Sequence, residues 1–277
     1  MNLDIVMPEL PEVETVRRQL DERVRGQVVC GFQLLQSGRE SPLGDEFVRR
    51  LLNKRVVSVD RRAKLLVWRF EDGEALTAHL KMTGRFVFVD QDYVPGKHDR
   101  AIFEFVSGKE KLVWSDIRKF GFLKLVDAAE LELILSAYGP EPLITSAEAL
   151  AERLVLPKTR VVKAALLNQE VIAGVGNIYA DEALHRAGIR PTRRLGRIKP
   201  EERLKLAQEI KTILAESVAQ QGTSANDYVD TRGEKGGFLS FLRVYGREDE
   251  PCRNCQMPIK KIVLNQRGTH FCPKCQD

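Results

Sequence analysis

The sequence predicts an α+β chain of more than one domain, and three observations carry that prediction. Short runs rich in β-branched and aromatic residues crowd the first half. Helical periodicity dominates after residue 140, and four cysteines stand in two close pairs near the end. A length of 277 residues, 43% hydrophobic and 30% charged, suffices for more than one core of ordinary composition. No apolar run is long enough to cross a bilayer. Met1 to Val6 holds Asp4 and no basic residue, unlike a secretory or transit segment, so a cytosolic address is expected.

From Val13 to Val24 the apolar spacing suits a helix, with Glu12 and Glu14 placed where its dipole favours negative charge. Strand-like runs follow at 28–32, 56–59, 65–70, 86–89, 101–105 and 111–114, separated by turns such as Asp72-Gly73 and Ser107-Gly108. A leading helix and many short strands imply a β-sandwich or barrel of roughly 130 residues. Gly139-Pro140-Glu141-Pro142 interrupts the pattern and reads as a linker. Helical patterns then occupy 146–154, 158–169, 177–187 and 200–220, the last opened by Pro200-Glu201-Glu202. Beyond the glycine-rich 232–237, a short two-stranded cysteine module closes the chain.

Charge is uneven along the sequence. Residues 1–157 hold 23 Lys and Arg against 25 Asp and Glu, whereas residues 158–277 hold 21 against 14. A basic C-terminal part suggests a polyanionic partner. Cys252, Cys255, Cys272 and Cys275 form Cys-x2-Cys, sixteen intervening residues, then Cys-x2-Cys, the spacing of a tetrahedral zinc site. Four thiolates leave no open coordination position, so one zinc ion of structural role is expected. Disulfides are disfavoured in a cytosolic chain. The fifth cysteine, Cys30, reads as a small buried hydrophobe.

Six motifs in order carry a resemblance. They are Pro8-Glu9-Leu10-Pro11-Glu12-Val13-Glu14, Arg61-Arg62-Ala63-Lys64, His79-Leu80-Lys81-Met82-Thr83-Gly84, Asp116-Ile117-Arg118-Lys119-Phe120-Gly121, Gly174-Val175-Gly176-Asn177-Ile178-Tyr179-Ala180 and the cysteine module. Together they closely resemble the formamidopyrimidine-DNA glycosylase family of bifunctional base-excision repair enzymes, from Met7 to Asp277. The resemblance implies an N-terminal β-sandwich with flanking helices (7–138), a linker (139–157), a helix–two-turn–helix DNA-binding domain (158–242) and a zinc β-hairpin (243–277). It also implies damaged double-stranded DNA as partner and no organic cofactor; a monomer is expected, since nothing in the sequence looks like a dimer seam.

Excising a base and breaking the backbone requires an amine that attacks sugar C1′. An α-amino group titrates near 7.7–8.0 against about 10.4 for lysine, so it offers more neutral nucleophile at cellular pH. The resemblance assigns that role to Pro8, the general acid–base role to Glu9, a second essential amine to Lys64, and a phosphate-contacting role in the second elimination to Arg267. Met82, Arg118 and Phe120 correspond to side chains that fill the gap left by an extruded base, although a Met and a Phe beside turns, taken alone, read as core. His98, Lys158, Lys163 and Asn177 correspond to backbone contacts, Asn177 at a helix start following the glycine loop. His270, the rival zinc ligand, reads as structural. Asn168 stands where the family often has Asp.

The implied activity is excision of 8-oxoguanine and formamidopyrimidines with β,δ-elimination. The alternatives are an endonuclease VIII-type enzyme for oxidised pyrimidines, or a non-catalytic zinc-dependent DNA-binding protein if Met1 is used as the start. Methionine is removed before Pro but retained before a residue as large as Asn2, and a chain begun at Met1 would hold the Pro8 nitrogen in a peptide bond. Met7 is therefore expected to be the initiator.

Overall fold

A computed structural model describes residues 7–36, 44–224 and 228–277; Met1 to Val6, and with them the question of the initiator, lie outside the described residues. The chain opens with helix α1 (Leu10–Val24) and strand β1 (Val29–Leu34), followed by α2 (Asp45–Leu51) and β2 (Val56–Arg62). A run of strands comes next: β3 (Leu65–Phe70), β4 (Ala75–His79), β5 (Gly84–Val89), β6 (Asp99–Phe105), β7 (Lys111–Asp116) and β8 (Phe122–Val126). Helices α3 (Ala128–Ser136), α4 (Ala147–Arg153), α5 (Val162–Leu167), α6 (Asn177–Ala187) and α7 (Pro200–Ala219) precede the terminal hairpin of β9 (Lys260–Leu264) and β10 (Arg267–Phe271).

The eight N-terminal strands form two four-stranded antiparallel sheets, in orders β1-β6-β7-β5 and β2-β3-β4-β8. Trp68, Phe86 and Phe103 fill the space between them, with Trp68 and Phe103 stacked at 5.7 Å. This is the expected sandwich with flanking helices. β4 was not foreseen because Ala75-Leu76-Thr77-Ala78 lacks a β-branched run and is buried on both faces, which erases alternation. Cys30 contradicts its expectation: it is exposed, at the bulge where the register of β1 shifts between Val29 and Gly31, while Val29 is buried and Phe32 and Leu34 pack against the core.

Helix α1 joins the two halves of the molecule. Leu10 belongs to the helical core, while Val13, Val16, Leu20 and Val24 pack into the sandwich. Pro11 sits in its first turn, and the Glu12 carboxylate accepts from the Glu9 amide at 2.8 Å, closing that turn.

The segment 139–157 is not a free linker, which corrects the boundary expected from its Gly and Pro. Helix α4 packs on α7, and Leu150 and Leu154 are fully buried in the helical core. A Cβ at Gly139 would lie 2.4 Å from the Glu170 carbonyl, so this glycine permits close packing rather than flexibility. Arg62 donates to the carbonyls of Tyr138 and Gly139 at 2.7 Å each, tying the sandwich to the start of the helical domain. No helix among the described residues is long and apolar enough to cross a membrane.

Candidate active site and nucleic-acid interface

The glycine loop and the first turn of α1 interlock. Leu10 N–H donates to the Gly174 carbonyl at 3.1 Å, and the Glu9 carboxylate accepts from the amides of Ile178 (2.9 Å) and Tyr179 (3.5 Å) at the start of α6. The glycines are dictated by this contact. A Cβ at Gly176 would fall 2.3 Å from the Glu9 carboxyl carbon, and one at Gly174, whose φ is +81°, would strike Leu10 at 2.5 Å. Helix-start amides favour a carboxylate, yet burial wins: Glu9 is 3% exposed and its pKa is pushed up to about 7. Lys64 opposes that rise, and Glu12 adds to it.

Lys64 is the complementary case. Burial pulls its ammonium down from the usual 10.5, against the pull of Glu9 and Glu12 and with a smaller push from Arg267. It is placed by the β2–β3 turn, where Ala63 takes a left-handed φ of 53°. That conformation is disfavoured for alanine and is pinned by Glu141, which accepts from Ala63 N–H at 2.6 Å and from Arg61 at 2.8 Å. Pro8, buried, precedes Glu9 directly. The structure thus brings a buried proline, a carboxyl that can hold a proton near neutrality, and a destabilised ammonium to one place.

Met82, Arg118 and Phe120 lie on two neighbouring turns, all half-buried at the rim of the sandwich. Asp116 locks the turns together. Its Oδ1 accepts from the Thr83 hydroxyl and from Arg118 N–H (3.1 Å), and its Oδ2 accepts from Gly121 N–H at 2.7 Å. The Arg118 guanidinium lies 5.1 Å from the centroid of the Phe120 ring, a cation–π contact. His98, half-buried, accepts through its carbonyl from Asp116 N–H at 2.9 Å, and Lys158 is exposed.

Lys163 does not fit the backbone-contact role implied by the resemblance. It is 1% exposed, ion-paired to Asp181 at 2.7 Å, and donates to Thr269 Oγ1 (2.8 Å) and the Gly268 carbonyl (3.1 Å). Its charge is spent inside the protein, joining α5 and α6 to the terminal hairpin. Asn177 reaches the same Gly268 carbonyl through Nδ2 at 3.0 Å, while its buried Oδ1 has no partner among the described residues.

Arg267 opens β10 and is exposed, held in place by this buried network below it. The four sulfurs of Cys252, Cys255, Cys272 and Cys275 lie within 4.8 Å of one another, a donor set and spacing that fit zinc. His270 is 2% exposed, stacks edge-on to Tyr245 at 5.0 Å and donates its backbone N–H to Asp181 at 2.8 Å. It is structural, as expected.

Several residues at the site have partners that the sequence did not reveal. Glu12 accepts from Tyr179 O–H (2.5 Å) and Thr223 N–H (2.6 Å), and Gln19 bonds Asp230 (2.6 Å) and Thr231 (2.9 Å), so α1 also holds both sides of the 222–237 segment. Charged residues on a helix read as a solvated face, and only the partners far along the chain reveal otherwise. His185 Nε2 lies 3.7 Å from Cys252 Sγ, and burial followed by Arg243 and Arg186 keeps this imidazole neutral.

Comparison with known proteins places this architecture among zinc-finger DNA glycosylases, proteins of base-excision repair that bind DNA and act on damaged bases. Residues 7–123 match the formamidopyrimidine-DNA glycosylase N-terminal domain, 138–228 its H2TH domain, and 249–277 the zinc finger found in FPG and IleRS. Formamidopyrimidine-DNA glycosylases of Desulfitobacterium hafniense and Bacillus licheniformis are 43% and 42% identical, each over 98% of this chain and 100% and 99% of theirs. A complex of the Lactococcus lactis enzyme with abasic-site DNA matches with a TM-score of 0.89 at 32% identity, covering 97% of this chain and 99% of that one. The chain belongs to the formamidopyrimidine-DNA glycosylase family.

Proposed function

We propose that this protein excises oxidised purines, 8-oxoguanine and formamidopyrimidines, and then cleaves the strand as a lyase. The observation that carries the reading is the buried Glu9, with a pKa of about 7, beside Lys64 and directly after Pro8. The free Pro8 nitrogen bonds to C1′ as the glycosidic bond breaks toward the base. Glu9 delivers its proton to the ring oxygen as the sugar opens, and about half the population holds that proton at pH 7. Loss of the amine proton leaves an iminium. Removal of a C2′ proton then expels the 3′ phosphate, and Arg267 assists departure of the 5′ phosphate.

DNA in this proposal lies along the cleft bordered by Met82, Arg118 and Phe120, with His98, Lys158 and Asn177 toward its backbone. Zinc, one ion held by the four cysteines, would keep the hairpin rigid beneath Arg267, and the protein acts as a monomer. The reading requires the Pro8 nitrogen to be free, which follows from initiation at Met7 and removal of that methionine; the family match beginning at residue 7 supports it.

Borohydride trapping on an 8-oxoguanine duplex, with protein begun at Met7, tests the proposal. A covalent adduct is expected, and its absence would reduce the chain to a DNA-binding protein. Base release is compared in parallel on thymine glycol, because a structural relative from L. lactis has been crystallised with oxidised-pyrimidine DNA. A clear preference for thymine glycol would replace the purine assignment with the endonuclease VIII-type one.

A further inference from the structure

A cleft of about 530 Å³ opens where the C-terminal ends of α6 and α7 meet the cysteine module. Its floor is the stacked pair Phe238 and Phe241, with centroids 5.5 Å apart and planes 17° from parallel. Phe238 is buried, while Phe241 leaves half of its surface to solvent. Three arginines, Arg186, Arg243 and Arg253, edge the cleft. Glu216 is the one acid lining it among the described residues, and its partly exposed carboxylate pairs with Arg186 at 2.8 Å. Arg186 is itself nine-tenths buried, with an Nε that has no partner among the described residues. The Arg243 backbone N–H is taken by Glu182, but no carboxylate among the described residues pairs its guanidinium. Among the described residues Arg253 reaches only the Ser240 carbonyl, at 3.0 Å.

This cleft is separate from the catalytic site. Glu9 sits at the start of α6 and Arg186 nine residues further on, about 13 Å along the helix axis. Its shape also argues against duplex DNA, whose phosphates call for an extended basic surface rather than a hollow with an aromatic floor. A half-exposed phenyl ring ringed by an excess of guanidinium groups suits a ligand that offers an apolar side chain and carboxylates together.

We infer that this cleft is a docking site for an acidic peptide segment of a partner protein, taking one aromatic side chain against Phe241 and its flanking carboxylates against Arg243 and Arg253. The site would couple the enzyme to other proteins without occluding the DNA cleft.

The test uses the full zinc-loaded chain and a short fluorescein-labelled peptide that alternates aspartate and phenylalanine, read by fluorescence polarisation. Saturable binding is expected, weakened at least about tenfold by Arg243→Glu and by Phe241→Ala. Arg243→Lys should weaken it less than Arg243→Glu. Neither Phe241 nor Arg243 belongs to the DNA site, so both variants should retain zinc content and affinity for an abasic-site duplex within about twofold, which also verifies folding. Three results would overturn the proposal: no binding to wild-type protein, equal binding of a polyaspartate peptide without phenylalanine, or stoichiometric displacement of the peptide by duplex DNA. The last two would assign the cleft to general charge attraction or to the DNA surface.

Discussion

Glu9→Gln should make the protein more stable at alkaline pH while abolishing base excision. With its carboxyl raised from the usual 4.5 to about 7, the native state keeps a proton between those values that the unfolded chain has shed. Wild-type stability therefore falls as pH climbs through that window. At about 1.4 kcal/mol per unit, the cost of the buried carboxylate amounts to about 3 kcal/mol once the group is ionised. Glutamine carries no such cost, but it offers only one acceptor oxygen to the Ile178 and Tyr179 amides, a loss of about 1 kcal/mol. The net gain of about 2 kcal/mol corresponds to a melting temperature about 5 °C higher near pH 8.5 in a chain of this size. Below about pH 5 the gain should vanish. Thermal melts of both proteins at the two pH values, with single-turnover excision assays, measure this. An offset that is the same at both pH values, or a variant less stable at high pH, would refute the account of Glu9 as a proton-holding buried acid.

Three further outcomes follow from the geometry. Lys163→Met leaves Asp181 buried without its partner and should cost about 3–5 kcal/mol with loosened zinc retention, measured by melting and metal release; a change confined to the salt dependence of DNA affinity would instead restore its role as a phosphate contact. Gly176→Ala pushes a methyl against the Glu9 carboxyl carbon and should cost about 1–3 kcal/mol and most excision activity, while zinc content stays unchanged. Stripping the metal with a chelator, or Cys272→Ser, should release one zinc per chain and reduce affinity for abasic-site DNA, with the sandwich's tryptophan fluorescence preserved because Trp68 and Trp114 pack far from the cysteines.

Much of the architecture was readable because its signals are local. The Val13–Val24 periodicity, the aromatic and β-branched runs, the Pro200-Glu201-Glu202 helix start and the cysteine spacing each depend on residues close in sequence. The features missed depend on distance. β8 (Phe122–Val126) follows Gly121 with no turn signal between, and is a strand because β4 lies beside it. Lys163 looks like a surface charge until Asp181, a full element away, is seen to neutralise it. Gly139-Pro140 reads as a linker, but its glycine is there to admit the Glu170 backbone. Gly174-Val175-Gly176 is a glycine loop before a helix start that corresponds to a backbone contact, and what its bare backbone admits is Leu10 and Glu9. Side-chain roles in DNA contact rest on shape complementarity to a partner, which a single chain encodes only through its turns.

The acid and the amides that greet it belong to different domains: Glu9 extends from the sandwich's helix, and Ile178 and Tyr179 open α6. The proton affinity of Glu9 thus depends on the two domains staying docked. Were the two domains to part and water reach the carboxyl, its pKa would return toward 4.5, and the protonated fraction at pH 7 would drop from about half to about 0.3%. Under the role proposed for Glu9, a mis-seated domain pair would be chemically silent without any residue leaving its place in the sequence.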